Sequence, residues 1–163
     1  MIYGIVGTNS QVVDNESLAP PWIVMSTVRP TMLHIARVDG SWELSPADQL
    51  ASIASWRTRQ ENTEVTFELN GRTWDAGLRS RTRIEPLLKL KQLPVGFFWT
   101  DHDNNDVPVT MEELRAIGDA MNDTIVARGF AIHARQRQMK AELEDMTAEE
   151  LMAFVPGWPD EQA

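Results

Sequence analysis

Short apolar runs separated by polar turns characterise the first 45 residues and predict β-strands. Three runs have the length of single strands, namely residues 2–6, 22–28 and 33–38. Asp39-Gly40 separates the third run from the next apolar residues, and an Asp-Gly pair in that position is typical of a two-residue β-hairpin turn. The polar stretch 7–21 predicts a loop. We therefore expect residues 1–45 to form a β-rich unit.

Apolar positions change to a helical spacing after residue 45. Ser45 followed by Pro46 and Asp48 is typical of a helix start, because serine caps the first N–H groups and proline fits the first turn. Apolar residues then recur at helical intervals, and we expect this helix to end near residues 60–62. A strand over residues 63–69 follows, with its alternate apolar side chains on one face.

The next hairpin and helix are marked by turn residues. Asn70-Gly71 is the strongest hairpin signal in the chain, because both residues tolerate the positive φ angles of a two-residue turn. Asp75 then predicts the N-cap of a helix over residues 76–92. Pro86 lies inside that helical pattern, which predicts a kink or a division into two helices.

A strand, a turn, a return strand and a capped helix follow in one short stretch. The apolar strand covers residues 95–100, and the return strand covers residues 107–109. Thr110 and Glu113 have the spacing of a capping box, in which each side chain accepts from the backbone N–H of the other residue. This pattern predicts that a helix begins directly after Thr110.

Helical spacing then continues to Leu143, as one helix or as two in line, with Gly129 as a weak point. Thr147 and Glu150 form a second capping box, which predicts a short last helix. Together these elements predict an α+β fold with an N-terminal β-hairpin unit and a mainly helical C-terminal half. The domain boundaries that we predict are a β-rich attachment segment (1–45), a mixed domain (46–158) and an acidic tail (159–163).

Charge and composition argue against several classes of function. The 163-residue chain has a net charge of −9, whereas a general nucleic-acid binder needs clustered Lys and Arg for phosphate contacts. No cysteine is present, which excludes disulfides, Cys-ligated zinc and thiol nucleophiles. No apolar run reaches the roughly 18 residues of a membrane span, and the N-terminus lacks a signal-peptide pattern. We expect a protein made in the cytoplasm that binds neither nucleic acid nor membrane.

One loop carries the oxygen-ligand spacing of a calcium site. Asp101, Asp103 and Asn105 alternate, and Glu112 lies where an EF-hand loop has its last ligand. Asp106, however, stands where that loop requires glycine, and a strand precedes the loop instead of a helix. Asn and Asp also favour plain turns. We therefore favour a hairpin turn, with a calcium loop as the weaker alternative.

No pattern in the chain predicts catalysis. His34, His102 and His133 show none of the spacings of metal-binding helices, and no serine lies in a Gly-x-Ser-x-Gly elbow. We therefore predict that the protein is not an enzyme and that it has no catalytic residue, no bound metal and no cofactor.

Charged residues are distributed unevenly. A basic span contains Arg72, Arg79, Arg81, Arg83, Lys89 and Lys91. An acidic span near the end contains Glu142, Glu144, Asp145, Glu149, Glu150, Asp160 and Glu161. The simplest interpretation is two solvated faces, and the alternative is a complementary contact within the chain or between copies. Six Trp and eight Met residues, together with these arginines, favour an interface.

Three segments in order resemble a domain of unknown function that is common in bacteriophage tail proteins. They read FELNGRTWDAGLRSRTRI (67–84), FFWTDHDNNDVPVTMEELRAI (97–117) and MTAEELMAFVPGW (146–158). Separately, PPWIVMSTVRPTMLHIARVDGSWEL (20–44) resembles a segment at the start of many phage tail and tail-fibre-assembly proteins.

The resemblance implies a virion tail protein made in the host bacterial cytoplasm. We expect a non-enzymatic structural protein that binds the tail fibre or baseplate, or itself as a homo-oligomer, through protein–protein contacts. The alternative is a tail-fibre assembly chaperone that is not retained in the virion. The candidate partner-binding residues are Trp22, Met25, Trp42, Arg79, Arg81, Arg83 and Trp158.

Overall fold

The computed structural model describes residues 1–161. Within the predicted acidic tail, Pro159–Glu161 forms a short 3₁₀ helix, whereas residues 162 and 163 lie outside the described residues. The chain divides into two compact units. Unit 1 combines Met1–Ala54 with the chain from Gln138 onwards, and unit 2 is Ser55–Arg137. The arrangement of helices and short antiparallel strand pairs confirms the predicted α+β class.

Unit 1 begins with a three-stranded antiparallel sheet. Its strands are β1 (Ile2–Ile5), β2 (Gln11–Val13) and β3 (Trp22–Val24), in the order β2-β1-β3. The prediction of a loop over residues 7–21 was therefore wrong for Gln11–Val13. These residues pair with β1 and form strand β2. Strand β3 is shorter than predicted, because the Ser26 N–H beyond it donates to the Gly40 carbonyl at 2.8 Å and draws the chain out of the sheet.

A second antiparallel pair, β4 (His34–Ala36) and β5 (Trp42–Leu44), completes the strands of unit 1. The predicted hairpin is present, but five residues connect its strands instead of a two-residue turn. Gly40, with a φ of 82°, supplies the left-handed position in this loop. The Arg37 N–H closes the loop by donating to the Ser41 carbonyl at 2.9 Å.

The two helices that begin in unit 1 start at the predicted caps. In α1 (Ala47–Asn62), the Ser45 hydroxyl accepts from the Ala47 N–H at 3.4 Å. In α4 (Ala148–Ala153), Thr147 and Glu150 form the predicted capping box. The Gln49 side-chain amide of α1 donates to the Leu151 carbonyl of α4 at 2.8 Å. The buried apolar residues of unit 1 include Tyr3, Met25, Ala36, Ile53, Met139, Leu143 and Leu151.

Unit 2 opens with the predicted Asn-Gly hairpin. Strands β6 (Val65–Leu69) and β7 (Arg72–Ala76) pair antiparallel. Asn70 and Gly71 have φ angles of 54° and 71°, which are the two positive angles of a type I′ turn. Strand β7 extends through Asp75 and Ala76, which continue the pairing with β6.

The helix after this hairpin is shorter than predicted. Helix α2 (Leu78–Leu88) has Gly77 as its N-cap, with no side-chain cap hydrogen bond. The predicted cap at Asp75 was therefore wrong, because that residue lies in β7. Pro86 lies within α2, which ends two residues later.

The rest of unit 2 is a short hairpin followed by most of the long helix. Strands β8 (Phe98–Thr100) and β9 (Asp106–Pro108) pair antiparallel. Helix α3 (Met111–Glu144) is continuous over 34 residues and ends in unit 1. Its capping box is present, since Thr110 N–H donates to Glu113 Oε2 at 2.7 Å and Glu113 N–H donates to Thr110 Oγ1 at 3.2 Å.

The core of unit 2 lies between α2, α3 and the two hairpins. Its buried members are Trp74, Ala76, Ile84, Trp99, Leu114, Ile117 and Met121. Gly118 permits close helix packing, because a Cβ there would lie 2.8 Å from Leu88 Cδ1. Within residues 1–161, none of the helices combines the length and apolar character that a membrane crossing requires.

Candidate functional site

A cluster of polar side chains in unit 2 surrounds Asp101, the first residue after β8. Its buried carboxylate accepts from Arg72 Nη1 at 3.0 Å through Oδ2 and from the Asn105 backbone N–H at 2.8 Å through Oδ1. The side-chain amide of Asn105 lies 3.2 and 3.1 Å from the two oxygens. The Asn105 backbone bond, with smaller effects from its amide and from Arg72, lowers the pKa of Asp101.

These contacts bear on the candidate calcium loop. Both Asp101 oxygens are engaged by donors of the chain itself, and Asn105 uses its amide nitrogen rather than offering its oxygen to that cluster. Asp103 and Glu112 are exposed on the turn and on the first turn of α3. Among residues 1–161, no group of three or more His, Asp or Glu is arranged to hold a metal ion. The segment is the connection of the β8–β9 hairpin, which is the interpretation that the sequence favoured.

A histidine–carboxylate pair ties this hairpin to β7. His102 Nδ1 lies 2.5 Å from Asp75 Oδ1, and the His102 N–H donates to the Thr73 carbonyl at 2.9 Å. The hydrogen bond that Asp75 accepts, together with its negative charge, raises the pKa of His102 above its ordinary value of 6.5. The sequence pattern did not reveal this pair, because its members are 27 residues apart and Asp75 resembles a helix cap.

We predict that His102 makes stability depend on pH near neutrality. Its pKa is raised in the folded chain, so the stabilisation from the pair is fully present below the unfolded pKa of 6.5 and is lost as pH rises through the folded pKa. A His102→Gln variant should therefore melt below the parent at about pH 5.5, and the difference should shrink by about pH 8.5. Thermal melts by circular dichroism at both pH values test this.

A His133→Gln variant is the matched control, because His133 is exposed on α3. It removes an exposed imidazole of the same size without removing the contact between His102 and Asp75, and its melts at the two pH values are the reference for those of His102→Gln. A constant melting difference between the parent and His102→Gln across this range would contradict the prediction.

The predicted partner-binding residues of unit 1 differ in exposure. Trp22, Trp42 and Trp158 are partly exposed, and Trp42 Nε1 donates to the Thr27 carbonyl at 2.9 Å. Met25 is only 4% exposed. Its assignment as a contact residue was therefore wrong, because its side chain packs inside the unit, where its sulfur would lie 3.0 Å from a Cβ at Gly4.

Other apolar side chains are exposed on the segments that flank Trp42. Val24, Val28 and Val38 are each more than half exposed, and Val38 reaches 84%. Their segments are held together by the Ser26–Gly40 and Trp42–Thr27 hydrogen bonds. We call these three valines the N-terminal apolar patch. The sequence showed apolar strands here, but it did not reveal which side chains face outward.

Some arginines of the basic span already have partners within the chain. Arg79 is exposed on α2. Arg81 pairs with Glu85 at 2.7 Å, and the Arg83 guanidinium lies 5.3 Å from the centre of the Trp99 ring, which is within cation–π range. Two of the three predicted contact arginines therefore already have partners in unit 2.

Unit 2 also contains a half-open cavity of about 290 Å³ beside α3. Its lining includes Val65, Leu78, Ile125, Arg128 and Gly129, so it is mainly apolar. A Cβ at Gly129 would meet no atom within 4 Å. The volume is at the lower end of ligand pockets and would accommodate a small apolar group.

Most of the chain matches a known family of protein domains. Residues 45–156, more than half of its length, match a family described as a domain of unknown function, DUF4376. The match agrees with the predicted resemblance to a domain of unknown function. The family description contains no reference to bacteriophages. Comparisons with curated proteins and with solved structures found no match.

Proposed function

The chain belongs to the DUF4376 family, and we propose that it acts as a non-enzymatic bacteriophage tail protein that binds the tail fibre or baseplate. The phage context is supported by the resemblance of residues 20–44 to the start of many tail and tail-fibre-assembly proteins. A role in binding is supported by the surface of unit 1. The proposed location is the virion tail, after synthesis in the cytoplasm of the host bacterium.

The observation that carries this proposal is the N-terminal apolar patch. Three valines are exposed on segments that hydrogen-bond to each other, and apolar side chains that are exposed close together are typical of protein interaction sites. The patch lies within residues 1–44, ahead of the family match that begins at residue 45. A surface outside the shared domain is well placed to provide an attachment particular to this protein.

Charge restricts the chemistry of the partner. A chain with a net charge of −9 favours a neutral or basic protein surface and repels polyanions. The half-buried Trp22 and Trp42 near the patch add the aromatic character that is common at interface centres. We therefore propose a tail protein with an apolar, neutral or basic contact surface.

The binding test uses a double variant, Val28→Asp with Val38→Asp. Both side chains are exposed, so the fold should persist while a desolvated contact would bury two carboxylates, which is costly. Size-exclusion chromatography with light scattering, with a purified tail-fibre or baseplate protein as the partner, should show a complex for the parent and at least a tenfold weaker one for the variant. Val95→Asp is the control, because Val95 is an exposed valine of unit 2.

Deletion of residues 1–45 would be a poorer test. Tyr3, Met25 and Ala36 belong to the buried interior of unit 1, so the deletion would disturb the whole unit as well as remove a surface. If the double variant binds like the parent, the patch is not the contact. If the parent binds neither tail protein, the proposed function fails.

The chaperone alternative would use the same contact but leave the finished particle. Mass spectrometry of purified particles distinguishes the two roles. A stoichiometric amount of the chain supports a tail component, whereas its presence in infected-cell extracts alone supports an assembly chaperone.

A further inference from the structure

One face of α3 is exposed over most of the part of this helix that belongs to unit 2. At 100° per residue, six side chains between positions 119 and 137 lie within about 40° of one line along the helix. They are Asp119, Asp123, Val126, Phe130, Ala134 and Arg137, and all six are exposed. We call them the α3 stripe.

The middle of the α3 stripe is apolar. Phe130 is 75% exposed and Val126 is more than half exposed. A large aromatic side chain gains free energy when it is removed from water, and aromatic residues are enriched at interface centres. Phe130 lies at the centre of the stripe. A partner that covers its ring would therefore also contact α3 residues on the N-terminal and C-terminal sides of it.

The ends of the stripe carry opposite charge. Asp119 and Asp123 lie on the N-terminal side of Phe130, and Arg137 lies on the C-terminal side. Within residues 1–161, Asp123 and Arg137 take part in no ion pair or side-chain hydrogen bond. The contacts among the described residues therefore leave both of these charges available.

This order of charges is self-complementary in one orientation only. A twofold axis at Phe130 places residues equally far before and after it opposite each other on an antiparallel copy. Asp123 then faces Arg137 of the second copy, Val126 faces Ala134, and the two Phe130 rings meet at the axis. A parallel copy would instead place Asp123 against Asp123 and Arg137 against Arg137, which is repulsive.

We propose that the α3 stripe binds a second copy of this chain, with the two α3 helices antiparallel in a twofold-symmetric dimer. Twofold dimers are the commonest protein assemblies, and they require a patch that is complementary to itself. One aromatic residue per copy makes a small contact, so the association should be reversible and dependent on concentration. This proposal does not rest on tail binding.

The test is sedimentation velocity of the full chain from about 1 to about 500 µM, a range that covers weak specific interfaces. The parent should shift from monomer to dimer as concentration rises. Asp123→Arg and Arg137→Asp should each weaken the dimer at least tenfold, because each creates two like-charge contacts. Phe130→Ser should weaken it to a similar degree.

Mixing the two charge variants gives the decisive result. In a mixed antiparallel dimer, D123R and R137D supply opposite charges at both contacts, so the mixture should dimerise like the parent although each variant alone does not. The D123R/R137D double variant should recover in the same way. Asp103→Arg is the control, because it makes the same charge change at an exposed residue that lies in a turn and not in α3.

Thermal melts of every variant confirm that the fold is intact before association is compared. A parent that stays monomeric throughout the range overturns the proposal, and so does dimerisation that the single charge variants do not weaken. Failure of the mixture to recover overturns the antiparallel arrangement. None of these results affects the tail-binding proposal, whose test uses different residues and a different partner.

Discussion

Replacing Trp74 with alanine should lower the free energy of unfolding by about 3–5 kcal/mol, as expected for removal of a large aromatic side chain from a packed core. Trp74 is 3% exposed and belongs to the buried cluster of unit 2. Its Nε1 donates to the Leu69 carbonyl at 3.2 Å. Alanine would lose this bond, the buried ring area and the contacts of the cluster at once.

Urea titration followed by far-UV circular dichroism measures this change. Phe98→Ala is the control, since it removes an aromatic ring that is about half exposed on the neighbouring hairpin, and it should cost much less. A loss below about 1 kcal/mol for Trp74→Ala would mean that the described packing around this ring is wrong.

Replacing Leu151 with alanine should destabilise unit 1 by about 2–5 kcal/mol. Leu151 is the fully buried residue of α4, a helix of six residues that cannot be stable alone. Met152 is the matched control, because it is the next residue of the same helix and is more than half exposed. Met152→Ala should shift the urea midpoint little.

Hydrogen exchange shows how far the effect of Leu151→Ala extends. Residues 1–54 and the chain from Gln138 form one compact unit, so β1 and β3 should lose amide protection together with α4. If only α4 exchanges faster, unit 1 does not open as one cooperative body. That result would also make a separate N-terminal attachment, with the boundaries predicted from the sequence, the better description.

The two proposals address different surfaces and can reinforce each other. The N-terminal apolar patch lies in unit 1, whereas the α3 stripe lies in unit 2. A dimer through the stripe would carry two copies of the patch. If both could reach fibre chains at once, the second contact would form at a raised effective concentration, and weak individual contacts would suffice for stable attachment.

Local features were determined by the sequence alone. The capping boxes at Thr110 and Thr147, the turn at Asn70-Gly71 and the α+β class were predicted correctly. Each of the three motifs involves residues within four positions of each other, where backbone geometry fixes which atoms can meet. Neighbours of this kind are visible without knowledge of the fold.

Other features were decided only by the tertiary structure. Asp75 has the side chain of a helix cap, yet it continues β7 and pairs with His102. Met25 has the character of an interface residue, yet it is buried. The bond between Gln49 and Leu151 joins residues 102 positions apart. Periodicity reports which positions are apolar, but the partner that covers each of them depends on how distant segments pack, and a single sequence does not contain that information locally.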